Sequence, residues 1–113
     1  MSTSNEERGQ KALRKISEVR RRIADLDFLC SGTLLRRTKV CGRKECRCAQ
    51  DPDARHGPYY EWSRRENDRL VHTVLSDEEA AQLARAIRNY RLVRRLLRLW
   101  ERATLQAIRN APP

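Results

Sequence analysis

Hydrophobic and polar positions divide the chain into a helical start, an extended middle and a helical end. Apolar residues recur at three- and four-residue steps between Leu13 and Leu26, and the intervening positions are mostly charged. This spacing predicts an amphipathic helix over residues 5–30, because it places side chains on one face of an α-helix. The apolar stripe consists of Leu13, Ile16, Val19, Ile23 and Leu26.

The middle of the chain alternates between apolar and polar residues. Residues 33–40 predict one strand, and residues 59–65 and 69–75 predict a β-hairpin with its turn at 66–68. The hairpin and the strand before it predict a three-stranded antiparallel sheet, which we expect to cover residues 33–75.

The last predicted element is a single long helix over residues 77–110. It begins with a capping box, Ser76 to Glu79, and has no Gly or Pro before Pro112. Winding at 100° per residue gives an apolar arc and, beside it, a stripe of arginines. From Ala80 to Trp100 there is no acidic residue, although a solvated helix face ordinarily mixes both charges. The stripe consists of Arg88, Arg91, Arg94, Arg95, Arg98, Arg102 and Arg109.

These elements predict an α+β fold in a single domain, 1–113. An N-terminal helix precedes a three-stranded antiparallel sheet, and a long basic C-terminal helix follows. Between strands 1 and 2 lie Cys41, Cys46, Cys48 and His56, which we expect to form a zinc knuckle. A three-stranded sheet cannot cover the apolar arc of so long a helix. We therefore expect the helix to pair with the N-terminal helix, with a second copy of the chain, or with both, which makes a homodimer the expected assembly.

Four residues between the first two strands form a candidate metal site. Thiolate and imidazole are the ligands that structural zinc prefers, and their spacing allows a tetrahedral site. Three nearby cations, Arg43, Lys44 and Arg47, would offset the negative charge of three thiolates around a divalent ion. The predicted Zn²⁺ ligands are Cys41, Cys46, Cys48 and His56.

Other interpretations of the cysteines stay open. They could be reduced and free of metal, or two could form a disulfide; Cys30 or His72 could also replace one of the four ligands. We interpret Cys30 as a small apolar residue at the end of the first helix. The start of the chain, MSTSNEERGQ, has no apolar run typical of a signal peptide, so we expect a cytoplasmic protein, where disulfides are rare. No apolar run is long enough to span a membrane.

The charge of the chain indicates an acidic partner. Lys and Arg number 25 against 15 Asp and Glu, which gives a net charge of +10 and an isoelectric point near 10.3. We expect nucleic acid, and DNA rather than RNA; the alternative is a module that docks an acidic protein. Tyr60 and Trp62 are interpreted as core residues, with base stacking as the alternative. The predicted nucleic-acid contacts are Arg36, Arg37, Lys39, Arg64, Arg88, Arg91, Arg95, Arg98 and Arg102.

Catalysis is not expected from this sequence. Four protein ligands leave a metal no open position for water, and no nucleophile lies beside a general base in the predicted fold. His72 stands alone on a predicted strand. We therefore expect a protein that is not an enzyme.

Several short motifs resemble one protein family. They run from Gly32-Thr-Leu-Leu-Arg36 through Cys41-Gly-Arg-Lys-Glu-Cys46-Arg-Cys48 and His56-Gly-Pro-Tyr-Tyr60 to Trp62-Ser-Arg64 and Asn89-Tyr-Arg91. The chain resembles short bacterial zinc-knuckle proteins that make up a domain family of unknown function. The resemblance implies a bacterial or phage-host cytosol, a mobile-element setting, and a larger mobile-element or phage protein as partner. It supports the ligand assignment and implies no mechanism.

Overall fold

A computed structural model describes residues 2–112. The elements are, in chain order, helix α1 (Ser2–Ala24), strands β1 (Thr33–Lys39), β2 (His56–Glu66) and β3 (Arg69–Leu75), and helix α2 (Asp77–Arg109). Two short 3-10 turns, Arg47–Ala49 and Pro52–Ala54, lie between β1 and β2. This arrangement confirms the predicted fold class, with the cysteines between the first two strands and a long helix at the end.

The described residues form two compact units. The two-helix unit consists of α1 with the residues up to 29 and of the part of α2 from Arg88 onward. The sheet unit consists of residues 30–87, including the first turns of α2. The single domain over 1–113 stays a prediction.

Helix α1 and the C-terminal part of α2 pack side by side and antiparallel in the two-helix unit. The Asn89 side chain donates a hydrogen bond of 2.8 Å to the carbonyl oxygen of Phe28. At the opposite end Gly9 faces Asn110, where an added Cβ would lie 3.2 Å from the Asn110 carbonyl oxygen. The largest fully buried side chains are Val19, with 0% exposed, and Leu96, with 1%. The buried residues of the pair are Gly9, Ala12, Val19, Leu96 and Ala103.

The buried face of α1 differs from the predicted stripe at one position. Leu13 is 58% exposed, whereas its neighbour Ala12 is buried. The line of contact with α2 therefore passes through residues 9 and 12 rather than through Leu13. The stripe positions Ile16, Val19, Ile23 and Leu26 are half-buried or buried.

Helix α1 also ends earlier than predicted, at Ala24 rather than at residue 30. The Leu26 N–H donates to the Ile23 carbonyl, which is the tighter bond of a final helical turn. The Asp27 carboxylate then accepts a hydrogen bond of 2.7 Å from the Phe28 N–H. A side chain that bonds the following backbone in this way competes with continued helix.

The sheet has the order β1-β2-β3, and both strand pairs are antiparallel. The β2–β3 hairpin closes through Asn67 and Asp68, which have φ angles of 49° and 65°. Positive φ at both positions of a two-residue loop is typical of the type I′ turn, and Asn and Asp tolerate it better than most residues. The predicted hairpin is therefore present, with its turn at the predicted place.

Helix α2 begins with the predicted capping box. The Ser76 hydroxyl accepts a hydrogen bond of 3.1 Å from the Glu79 N–H, and the Glu79 carboxylate accepts one of 3.0 Å from the Ser76 N–H. Hydrogen bonding from the Ser76 backbone N–H, followed by that from the Ser76 side chain, stabilises the charged carboxylate and lowers the pKa of Glu79. Neither α1 nor α2, as described, combines the length and apolar character that a membrane-spanning helix needs.

Candidate functional site

The four predicted ligand residues converge on one point in the sheet unit. The ligand atoms of Cys41, Cys46, Cys48 and His56 all lie within 4.8 Å of one another. The Cys41 and Cys48 sulfur atoms are 3.5 Å apart, and the Cys46 sulfur is 3.3 Å from Nε2 of His56. Bonds of about 2.3 Å to sulfur and 2.0 Å to nitrogen would separate the corners of a tetrahedral zinc site by about 3.5 to 3.8 Å. The four residues therefore lie close enough to hold a metal ion.

The backbone after β1 folds the first two cysteines together. Gly42 has a φ of 84°, a conformation that glycine adopts without steric cost. The Cys46 N–H then donates to the Arg43 carbonyl, and the chain turns into the short 3-10 segment that carries Cys48. The Cys41 N–H points at the Cys48 sulfur, at 3.3 Å. Such an N–H donor stabilises negative charge on a sulfur ligand.

A β-bulge positions His56. Arg37 pairs with Tyr59 and Lys39 with His56, so Gly57 and Pro58 together oppose the single residue Thr38. Gly57 has a φ of 110°, and an added Cβ would lie 3.0 Å from the Arg37 carbonyl oxygen. The extra residue changes the direction in which the side chains of β2 point. It brings the imidazole to the cysteines at the point where β2 begins.

The sulfur atoms influence each other's protonation. Hydrogen bonding from the Cys48 backbone, followed by that from the Cys48 and Cys41 side chains, lowers the pKa of the Cys46 thiol. The Cys41 N–H also acts to lower the pKa of the Cys48 thiol, but burial and the neighbouring Cys46 and Cys41 sulfurs outweigh it and raise that pKa overall. Like charges this close repel, and a divalent cation between them would remove the repulsion.

The donor set fits a soft or borderline cation such as zinc. Three sulfurs and one imidazole nitrogen would complete the four-coordination of such an ion; Cys48 is buried, and Cys41 and His56 are exposed. Within residues 2–112, neither Cys30 nor His72 belongs to the group. Cys30 is half-buried, and its N–H donates to the carbonyl oxygen of Ala86. His72 is exposed on β3, opposite Ser63.

Two of the predicted strand contacts to nucleic acid, Arg37 and Lys39, form ion pairs with a buried acid. Glu61 on β2 is only 4% exposed, and its carboxylate lies 3.0 Å from Nζ of Lys39 and 3.2 Å from a guanidinium nitrogen of Arg37. The Lys39 hydrogen bond, followed by the charges of Lys39 and Arg37, lowers the pKa of Glu61 despite its burial. These ion pairs join β1 to β2 beside the metal-ligand cluster. The sequence pattern of β2 alone does not reveal this role of Glu61.

Arg64 is also held within the sheet unit. Its guanidinium lies 3.9 Å from the centre of the Trp62 ring and donates to the Thr73 hydroxyl and the Glu66 carboxylate. Trp62 in turn donates its indole N–H to the Ser31 carbonyl at 2.8 Å. Trp62 therefore has a structural role in the sheet unit, because Arg64 stacks on its ring and its indole N–H is hydrogen-bonded. Arg36 is exposed on β1, opposite Tyr60.

The arginines of α2 form a surface of their own in the two-helix unit. A shallow depression of about 410 Å³ is lined only by arginines, and we call it the arginine surface. No residue between 2 and 112 pairs with them through an ion pair or a side-chain hydrogen bond. Arg102 and Arg109 line a different groove, described below. The arginine surface consists of Arg88, Arg91, Arg94, Arg95 and Arg98.

The comparison with protein families identifies one match. The model of a domain of unknown function, DUF6788, matches residues 9–85. The matched segment covers most of α1, the metal-ligand cluster, all three strands and the first turns of α2. No curated protein and no solved structure matches the chain. Because the match spans more than half of its residues, the chain belongs to the DUF6788 family.

Proposed function

We propose that this protein is a zinc-binding accessory protein that binds nucleic acid, and DNA in particular, through the arginines of α2. The arginine surface is the observation that carries the proposal. Its five guanidinium groups share one side of the helix with no acidic side chain among them. Guanidinium binds phosphate through paired hydrogen bonds, and charges left without internal partners are available for an external one.

The distribution of charge supports the same conclusion. Residues 1–29 and 88–113, which make up the sequence of the two-helix unit, contain fourteen Lys and Arg and six Asp and Glu. Eight of the ten net positive charges therefore belong to these 55 residues. Concentration of charge on one compact unit creates a local field that attracts a polyanion.

The length of the stripe favours duplex DNA. Arg88 to Arg109 covers about 32 Å at 1.5 Å per residue, close to one turn of B-DNA. A helix of this length can follow phosphates along a groove. The strand cations contribute less to the proposal, because Arg37, Lys39 and Arg64 are engaged with Glu61, Glu66 and Trp62.

Zinc has a structural role in this proposal. The sheet unit has few buried apolar side chains, and Cys48 is one of them. A zinc ion held by Cys41, Cys46, Cys48 and His56 would join the end of β1 to the start of β2, so its binding free energy would add to the stability of the sheet. Four protein ligands leave it no position for water, and we propose no catalytic activity.

A homodimer completes the proposal. Leu97, Leu105 and Ile108 in α2 are 45%, 48% and 67% exposed, although α1 already packs against this helix. Exposed apolar side chains of this number in a unit of two helices are typical of an interface. A second copy of the same surface is the occupant we propose, because an isologous contact is self-complementary. A bacterial cytosol, a mobile-element setting and a larger mobile-element or phage partner stay predictions.

Binding across a salt series tests the function. The purified protein is titrated into duplex DNA, single-stranded DNA and RNA of equal length, and the binding constant is measured at several salt concentrations. We expect the tightest binding to duplex DNA and a linear fall of log K with log salt, since bound phosphates release counterions. Absence of binding to all three at low salt would refute the proposal and favour an acidic protein partner.

A further inference from the structure

A basic groove runs between α1 and the C-terminal part of α2, and the sequence pattern of neither helix alone reveals it. The groove has a volume of about 1020 Å³ and is open to solvent. One acidic residue, Glu18, lines it. The cations that line it come from both helices: they are Arg8, Lys11, Arg14 and Lys15 of α1, and Arg102 and Arg109 of α2.

Small residues line the base of the groove. Ala12 and Ala103 line it and are only 2% and 5% exposed. Gly9 packs against Asn110 at the same end of the unit. Because these side chains are short, the long basic side chains on both sides of them border one open groove.

The positive charge of this groove is largely uncompensated. Glu18 lies 3.9 Å from Lys15, and both side chains are about half exposed, so water and salt weaken this pair. Among the described residues, no ion pair involves Arg8, Lys11, Arg14, Arg102 or Arg109. One carboxylate therefore faces six cations.

We propose that this groove binds a phosphate strand of the nucleic acid, so that α1 and α2 contact the same duplex together. The proposal rests on the function proposed above and adds α1 to the interface. Arg8 to Lys15 and Arg102 to Arg109 each extend over about 10 Å. One strand of B-DNA presents about one phosphate charge per 3.4 Å of axis, so about three phosphates of the strand lie within reach of both rows. No aromatic residue lines the groove, which favours backbone contact over base stacking.

Charge-matched double variants of α1 test the inference. Arg8→Gln with Lys11→Gln removes two cations from the groove. Arg20→Gln with Arg21→Gln removes two from the same helix, but these residues line a separate depression that also contains Trp100. Gln has nearly the same helix propensity as Arg and Lys, so helicity should be kept in both variants. Circular dichroism checks this, and Arg109→Gln tests the groove from α2 if the first variant is unfolded.

Salt-dependent binding to duplex DNA is the measurement. We expect the Arg8 and Lys11 variant to flatten the slope of log K against log salt by close to two, since each lost phosphate contact removes about 0.9. The Arg20 and Arg21 variant should keep the slope of the unmodified protein. If the unmodified protein binds duplex DNA and both variants keep its slope, the groove inference is wrong while the proposed function stands. If the unmodified protein binds no nucleic acid, both are wrong.

Discussion

Nε2 of His56 lies 3.3 Å from Sγ of Cys46, although a loop of nine residues separates the two in sequence. The histidine belongs to β2 and the cysteine to the loop after β1, so their approach closes that loop against the sheet. The other ligand pair, Cys41 and Cys48, is 3.5 Å apart and closes the same loop nearer to β1. A metal ion shared by the two pairs would hold the loop at both ends.

Removal of one thiolate should therefore remove both the metal and the order of the sheet unit. We expect about one zinc per chain in the purified protein and almost none in Cys46→Ser, which also loses β-sheet signal because zinc binding and folding are coupled. Elemental analysis and circular dichroism provide the measurement. Cys30→Ser is the matched control, since Cys30 lies outside the ligand group and should keep its zinc. Metal-free protein with an intact sheet would contradict the hypothesis.

Two glycines with similar backbone angles should differ in their tolerance of alanine. Gly32 has a φ of 97°, and an added Cβ would lie 2.5 Å from the Ser63 carbonyl oxygen and 2.7 Å from the Trp62 indole nitrogen. Gly42 has a φ of 84° but open space around it. In both variants an alanine must adopt the left-handed backbone conformation, which lowers stability by roughly 1–2 kcal/mol.

Only Gly32→Ala adds a steric clash, so its melting temperature should fall several degrees further than that of Gly42→Ala. Thermal unfolding of zinc-loaded protein measures the difference. Equal melting temperatures for the two variants would contradict this prediction. They would show that the atoms around Gly32 move aside for the added Cβ without loss of stability.

Much of the fold could be predicted from the sequence, because local turn and capping residues determine where several strands and helices begin and end. Strand β3 covers 69–75 as predicted, since a two-residue turn precedes it and a capping box follows it. Strand β2 begins earlier than predicted, at His56, because Gly57 and Pro58 form a bulge instead of ending the strand. Proline ordinarily interrupts a ladder, and a single sequence does not reveal where a bulge accommodates it.

The candidate functional surfaces could be predicted from the sequence only where their residues come from one short segment or one helix. The metal-ligand cluster follows from local spacing, and the arginine surface follows from the period of one helix. The burial of Glu61 depends on two cations of the neighbouring strand, which the pattern of a single strand does not show. The basic groove depends on the pairing of two helices distant in sequence. The apolar pattern of α1 included Leu13, which is exposed. It left out the small residues Gly9 and Ala12, which are buried.

The buried carboxylate of Glu61 should make stability depend on pH. Its pKa is lowered in the folded protein, so the unfolded chain binds the proton more tightly. The stabilisation is therefore present above the ordinary value of about 4.5 and is lost as pH falls below it. At pH 7, Glu61→Gln should lower the melting temperature by several degrees, because Lys39 and Arg37 lose their partner.

The difference between Glu61→Gln and the unmodified protein should shrink on acidification, when the native carboxylate is itself neutral. Melting temperatures measured at intervals between pH 7 and pH 3 give this difference directly. Glu66→Gln is the control, since Glu66 pairs with Arg64 at an exposed site and should change stability little at any pH. A pH-independent effect of Glu61→Gln would indicate a packing role instead.

The proposed dimer makes adjacent residues of α2 behave differently. Leu97 is exposed and borders a small depression with Trp100 and Thr104, whereas Arg98 belongs to the arginine surface. Leu97→Glu should place a charge in the interface and yield a monomer, while Arg98→Glu should leave the mass unchanged. Sedimentation equilibrium measures both. A folded monomer of the unmodified chain at high micromolar concentration would rule out the dimer.

The arginine stripe of α2, from Arg88 to Arg109, predicts a specific salt dependence. If five or six phosphates are neutralised, log K should fall against log salt with a slope of roughly −5. Replacing Arg91, Arg95 and Arg102 with Gln removes three of these contacts and should bring the slope to roughly −2, with weaker binding at low salt and unchanged zinc and helicity. Fluorescence anisotropy with a labelled duplex measures the slope.

Arginines on the sheet provide the control for this variant. Arg37→Gln keeps α2 intact and removes a cation that is already paired with Glu61, so it should change the DNA slope by less than one unit. The opposite result, with a strong effect of Arg37→Gln and none of the α2 substitutions, would place the nucleic acid on β1. Arg36 is exposed on that strand, so Arg36→Gln would then also weaken DNA binding. The proposed role of α2 would be confined to dimer assembly.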